Sequence, residues 1–192
     1  MAMECLVEKQ DMPKEIIMKI HTKRLLLVPL GLQLLITTHK YSSDIENTKY
    51  MVYLPNLNIE ETKSFLVSAE AEWLKHRPLY YEYAILINNE HIGAVSLYLN
   101  EDYMEGELGW IISKDYWGKG YATEAAEAMI DFGLKHLNIH RFIAHCDSEN
   151  VNSYRVMEKL GMKLESKTRG RKNKLSDEVR EDLMYSLDIK QD

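Results

Sequence analysis

Gly118, Lys119 and Gly120 stand between the apolar run LGWII and the helix-prone segment YATEA, inside the nonapeptide WGKGYATEA of residues 117–125. A strand, a glycine turn and a helix start in that order aim the unpaired amides of a first helical turn at one point. The positive end of the helix dipole points the same way. The chemistry suited to such a point is anion binding, above all phosphate or pyrophosphate. Gly118 and Gly120 let the backbone bend and approach a ligand with no Cβ in the way, and Lys119 adds a cation. The pattern is not the dinucleotide G-x-G-x-x-G, because position 123 is Thr and no βαβ pattern opens the chain. Nor is it G-x-x-x-x-G-K-[ST].

Other reactive side chains read more blandly. His136 and His140 have the i,i+4 spacing of a metal pair, but His140 falls beyond the expected helix end and no nearby acid completes a ligand set. No metal is expected. Cys146 lies in an apolar strand run and reads as a small core residue rather than a nucleophile. Trp73, Trp110 and Trp117 suit either a core or the lining of an acceptor groove. The basic stretch RGRKNK, residues 169–174, suits a solvated loop, or a grip on a phosphate or an acidic acceptor.

The chain must fold to position these groups, and its composition allows it. With 192 residues, 45% hydrophobic and 28% charged, it is large enough for one cored domain. We expect residues 1–20 to be an extension, with a short helix near 14–19, and residues 21–192 to form that domain. No apolar run reaches the ~18 residues that span a bilayer, so no membrane partner is expected. Glu4, Glu8 and Asp11 argue against a signal peptide. Two widely separated cysteines, Cys5 and Cys146, fit a reduced cytoplasmic protein. The net charge of -6 argues against nucleic acid and favours cationic partners such as amines.

The order of elements follows from periodicity and punctuation. TKRLLLVPL, residues 22–30, reads as a strand stopped by Pro29. Helix is expected over 32–50, interrupted at Ser42 and Ser43. Asn58 with Glu61 forms a capping-box pattern ahead of a helix that Pro78 ends. Strands are expected at 80–87, 91–99 and 107–113, with Asn88-Asn89 as a hairpin turn. A helix over 122–137 follows, then a strand at 141–147. A short helix at 153–160 is capped by Asn152 or Ser153 and ended by Gly161. Two last strands, 163–168 and 182–189, bracket the basic loop. The class is α+β around one largely antiparallel sheet.

Taken together, ELGWII, WGKGYATEA, NIHRFIAHCDSEN and NSYRVMEKLGM, in this order and spacing, resemble the GNAT acetyltransferase superfamily. The closest likeness is to its RimJ/RimL-like branch of ribosomal-protein alanine/serine N-terminal acetyltransferases, over residues 22–187. The resemblance implies a mixed, mostly antiparallel sheet of about seven strands, splayed between the strands at 107–113 and 141–147. It implies acetyl-CoA as cosubstrate. The pyrophosphate would sit on the turn formed by Trp117, Gly118, Lys119, Gly120, Tyr121, Ala122 and Thr123, where Trp117 replaces the family's usual Gln or Arg. The pantetheine arm would bond the backbone of Ile111 and Ile112, and Asn150 matches an asparagine that contacts that arm.

Acetyl transfer to an amine needs a neutral nitrogen, a stabilised oxyanion and a neutralised thiolate. By resemblance, Glu107 is the candidate base, against a structural role at a strand end. The family's usual tyrosine acid falls at Met157, so Ser153 becomes the candidate partner of the thiolate, with Tyr154 and Tyr185 behind it. A helix cap is the alternative for Ser153. The implied reaction is direct transfer to a primary amine, a protein or peptide N-terminus before a polyamine, aminoglycoside or amino-acid-like compound. A noncatalytic acyl-CoA-binding module is the rival outside enzymes. Homodimers are common among such proteins, so a homodimer is a further expectation.

Overall fold

The computed structural model describes residues 19–190, and the expected helix near 14–19 lies almost wholly outside them. Eight strands form one sheet in the order β1-β2-β3-β4-β5-β6-β8-β7. They are β1 (Ile20–His21), β2 (Leu26–Pro29), β3 (Tyr80–Ile87), β4 (Glu90–Leu99), β5 (Glu105–Ile112), β6 (Arg141–Asp147), β7 (Lys163–Arg171) and β8 (Arg180–Asp188). Every neighbouring pair is antiparallel except β5 and β6. The helices are α1 (Leu35–Ser42), α2 (Ile45–Thr48), α3 (Ile59–Trp73), α4 (Tyr121–Phe132) and α5 (Val151–Lys159). Among the described residues no helix is long and apolar enough to cross a membrane.

Local chemistry explains most of these elements. Asn88 and Asn89 take positive φ values of 50° and 65°, the left-handed pair that a two-residue hairpin between β3 and β4 requires. Asn58 Oδ1 accepts from Glu61 N at 3.0 Å and starts α3, while the Glu61 carboxylate accepts from Leu57 N at 3.1 Å. Gly161, at φ 79°, ends α5 as expected.

Tertiary contacts moved several boundaries. The expected strand over 22–30 is cut back to Leu26–Pro29 by a turn in which Leu25 N donates to Thr22 Oγ1 at 2.9 Å. The eighth strand, Ile20–His21, lies before that turn and outside the expected one. The helix expected to run to Pro78 stops at Trp73. There the Trp73 ring leaves the helix axis for Tyr81 and Tyr83, and its Nε1 donates to Glu82 O at 3.2 Å. The helix expected to run to Leu137 becomes a π-helical turn over Gly133–Leu137. Gly133 lies so close to the Phe142 ring that a Cβ there would meet it at 2.7 Å. The basic stretch is not all loop, because Arg169 to Arg171 continue β7.

The main core lies on one face of the sheet. Tyr83, Val95, Leu97, Phe142 and Ala144 pack there under Met129 of α4 and Met157 of α5. The opposite face is covered at one end by Leu30 and Leu66 over Ala84 and Ala94. Beside that patch sits Glu82, 5% exposed, which accepts from the Tyr98 hydroxyl. Burial pushes its carboxyl up to about 7, against the lowering effect of Tyr98. A carboxyl raised on folding binds more protons in the native state, so its contribution falls as pH rises between the unfolded and folded values. Urea unfolding is therefore expected to show Glu82→Gln gaining stability relative to the parent between pH 5 and pH 8, by up to about 3 kcal/mol. An equal difference at both pH values would refute this account.

Candidate functional site

The pairing of β5 with β6 covers only three positions, Glu105 with Arg141, Gly106 with Phe142 and Glu107 with Ile143. Beyond them each strand stays paired on its far side, β5 with β4 and β6 with β8. The two inner edges part, which is the expected splay. A cavity of about 500 Å³ opens between them. Gly109, Trp110, Ile111 and Ile112 line it from β5, and His145 and Cys146 from β6.

One end of the cavity is the glycine turn. A 3₁₀ turn (Lys114–Tyr116) leads into it, and Trp117 Nε1 donates to Ile112 O at 2.7 Å, fixing the turn to the end of β5. Gly118 and Gly120 have φ values of 74° and 77°, a region that side-chain-bearing residues occupy only with strain. The first i→i−4 bond of α4 is made by Glu124 N to Gly120 O, so the amides of Tyr121, Ala122 and Thr123 precede the ladder. Trp117, Gly118, Gly120, Tyr121, Ala122 and Thr123 all line the cavity. Lys119 does not. Its ammonium donates to Asp115 O at 3.1 Å and lies over the Tyr116 ring.

No sequence signal singles out Arg24. It donates to Lys119 O at 2.9 Å and to Glu124 Oε2 at 2.6 Å. Glu124 Oε1 also accepts from Thr22 Oγ1 at 2.6 Å and Arg24 N at 2.7 Å. The turn before β2 therefore braces the glycine turn from about 100 residues away in sequence.

The wall facing the turn is α5. Asn150 is its cap, accepting from Ser153 N at 3.3 Å, in place of the expected Asn152 or Ser153. The cap reading for Ser153 is thereby removed. Ser153 and Asn150 both line the cavity, and the Ser153 hydroxyl lies beside Cys146. Burial pushes the Cys146 thiol up to about 11, which keeps it protonated and unreactive. Met157 is fully buried, and Tyr154 and Tyr185 lie outside the lining. Trp110 and Trp117 line the cavity, whereas Trp73 is a packing residue.

A further part of the lining is polar. Glu46, Asn47 and Tyr50 reach it from α2 and the residues after it, and Arg171 reaches it from β7. Lys114 ties α2 to the end of β5 through Asp44 at 2.7 Å and Glu46 at 2.9 Å. Asn47 Oδ1 and Nδ2 and Arg171 Nε are buried with no partner among the described residues. Glu107 is the last paired residue before the split and lies outside the cavity lining. Its side chain keeps contact with solvent, yet the surrounding protein desolvates it enough to raise its pKa, with His145 and Arg171 opposing the rise and Asp182 and Glu105 adding to it.

Comparison with known proteins gives this arrangement a setting. Residues 24–163 match the family described as "Acetyltransferase (GNAT) domain". The uncharacterized N-acetyltransferase YnaD of Bacillus subtilis is 34% identical over 152 residues, 77% of this chain and 84% of that protein. The spermidine N(1)-acetyltransferase of Escherichia coli is 33% identical over 84 residues, covering 43% of this chain and 45% of that enzyme. Among solved structures, RimL, a ribosomal L7/L12 alpha-N-protein acetyltransferase solved in complex with coenzyme A, superposes with a TM-score of 0.77 at 19% identity. That match covers 89% of this chain and 98% of RimL. It is a likeness of fold.

The brace makes its own prediction. Glu124→Ala removes the acceptor of three hydrogen bonds at a partly exposed site, and is expected to cost about 1–2 kcal/mol. Denaturant unfolding measures this, and an unchanged midpoint would show that Arg24 and Thr22 hold the turn without Glu124.

Proposed function

The chain belongs to the GNAT acetyltransferase family, and from that membership we propose that it moves an acetyl group from acetyl-CoA to the N-terminal α-amino group of a protein or peptide. Residues 21–192 act as one domain in this reading. The coenzyme's pyrophosphate rests on the amides of residues 121–123, with Gly118 and Gly120 admitting it. The pantetheine arm runs along the unpaired edge of β5 at Ile111 and Ile112, with Asn150 across from it. The thioester then lies in the split near Ser153, whose hydroxyl offers the leaving sulfur a hydrogen bond.

The observation that carries the acceptor class is the set of unpartnered polar atoms in the polar part of the cavity lining. Asn47 presents a buried donor and a buried acceptor, and Arg171 a buried Nε donor. Each buried group left unpaired costs about 1–3 kcal/mol. A peptide start, with a carbonyl and an amide beside its amine, supplies partners of all these kinds. The partial likeness to the spermidine enzyme supports a second reading, a polyamine acceptor, and the Glu46 carboxylate suits it. The Arg171 guanidinium in the same lining disfavours a polycation there.

Coenzyme A release from acetyl-CoA, followed with a thiol reagent across peptides beginning Ser, Ala or Met, polyamines and aminoglycosides, tests the reading. Release confined to peptides is the expected result. Release with spermidine alone would overturn the acceptor class, and binding without release to any amine would favour a noncatalytic module. The coenzyme placement has a separate check. Gly120→Glu is expected to abolish acetyl-CoA binding in calorimetry, because it adds bulk and negative charge at the amides. Gly161→Glu, which imposes the same strain at φ 79° outside the cavity, is expected to leave binding intact. Equal loss in both variants would assign the effect to backbone strain.

A further inference from the structure

His145 is the one histidine among the described residues that line the cavity. It sits on β6 two residues past Ile143, the last position that pairs with β5. Glu107, the partner of Ile143, therefore lies on the same sheet face just before the split.

His145 Nδ1 lies 2.6 Å from Asp182 Oδ2 on β8. The second Asp182 oxygen accepts from Arg171 Nη1 at 2.5 Å, and Arg171 Nη2 donates to Tyr50 O at 3.1 Å. Arg171 holds Asp182 through its other oxygen, so Asp182 presents a fixed acceptor to the imidazole. In the neutral ring the proton then resides on Nδ1, and the lone pair is on Nε2. Nε2 has no hydrogen-bond partner among the described residues, and it belongs to a ring at the cavity wall. A histidine oriented through one nitrogen by a held carboxylate, with the other nitrogen open to a cavity, is built to accept a proton.

Resting on the acetyl-transfer reading above, the geometry points to His145 Nε2 as the atom that takes the proton from the acceptor amine, with Asp182 and Arg171 as positioning residues. The ammonium gives one proton to Nε2, which frees the nitrogen lone pair. That pair forms the C–N bond at the thioester carbonyl. Collapse of the tetrahedral intermediate breaks the C–S bond, and its electron pair leaves on sulfur. A second nitrogen proton passes to that thiolate, the third stays on the amide, and His145 returns its proton to solvent. The charged groups around the ring are Asp182 on β8, Glu107 on β5 and Arg171 on β7. The Asp182 bond and the nearby carboxylates raise the His145 pKa above its ordinary value, while burial and Arg171 act in the opposite direction.

The test is a pH profile of kcat/KM with the best acceptor of the amine panel, alongside calorimetric binding of acetyl-CoA. The unaltered protein is expected to lose activity as pH falls through an inflection above about 6.5, the free imidazole value. His145→Gln is expected to lower kcat/KM by about 100-fold or more and to remove that limb, with acetyl-CoA affinity unchanged. Asp182→Asn is expected to keep the limb and move it to lower pH, a shift that a merely structural contact would not produce. His145→Gln retaining both rate and limb would overturn the assignment. So would Glu107→Gln removing the limb while His145→Gln keeps it, which would give the role to Glu107. No turnover by the unaltered protein with any amine would instead overturn the acetyl-transfer reading, together with the step that rests on it.

Discussion

A parallel strand pair that is joined for three residues and then parts is the constraint on which this molecule depends. Past Glu107 and Ile143, the inner edges of β5 and β6 present backbone amides and carbonyls that no neighbouring strand satisfies. Buried edge groups of this kind are costly unless water or a ligand meets them. The split therefore calls for an extended polar partner in the gap. Its closed end is held by Arg141, which bonds Glu105 on β5 at 2.8 Å, Glu165 on β7 at 2.8 Å and Asp188 on β8 at 3.1 Å. Three carboxylates from three strands converge on one guanidinium where the strands still meet. These groups are partly exposed, and their role is to fix geometry more than to add stability.

The parts that complete the cavity come from distant regions of the chain. Residues 22–24 brace the glycine turn through Glu124, and Lys114, just before that turn, ties α2 to the end of β5. Arg171 and Asp182 belong to the last two strands, and Arg171 returns to the carbonyl of Tyr50. The glycine turn is thus held by one set of long-range contacts and the polar part of the lining by another. In the proposed reaction an anionic ligand on the turn and an amine at the polar groups would meet in the split, where Ser153 and His145 line the cavity.

Local signals in the sequence are legible because their causes are local. The Asn88-Asn89 turn, the Asn58 cap and the Gly161 terminator each follow from the conformational preferences of one or two residues. The glycine turn was legible for the same reason, and its φ values match the need for glycine. What sequence could not supply was the geometry set by long-range contacts. The turn that delays β2 to Leu26 is braced by Glu124, and the early end of α3 follows the packing of Trp73 on Tyr81 and Tyr83. The His145–Asp182 pair was invisible because the two residues are 37 positions apart and meet only through the β6–β8 pairing. A histidine alternating with apolar residues ahead of Cys146 was its only trace.

The acid–base balance of the reaction links the two proposals. A CoA-like thiol, near the ~8.5 of a free cysteine, leaves as a thiolate with little help, so a buried Met157 in place of a proton donor is tolerable. The amine is the harder partner. An N-terminal α-amino group ionises near ~7.7–8.0, so moving its proton to an imidazole of about 6.5 is uphill by only about 2 kcal/mol. An alkylammonium near ~10.4 makes the same transfer uphill by about 5 kcal/mol. The rise in the His145 pKa caused by Asp182 narrows both gaps and leaves the alkylammonium the harder proton donor. A histidine base thus selects by acidity as well as by shape. It favours the α-amino acceptor for a physical reason independent of the unpartnered Asn47 and Arg171 atoms that point to a peptide.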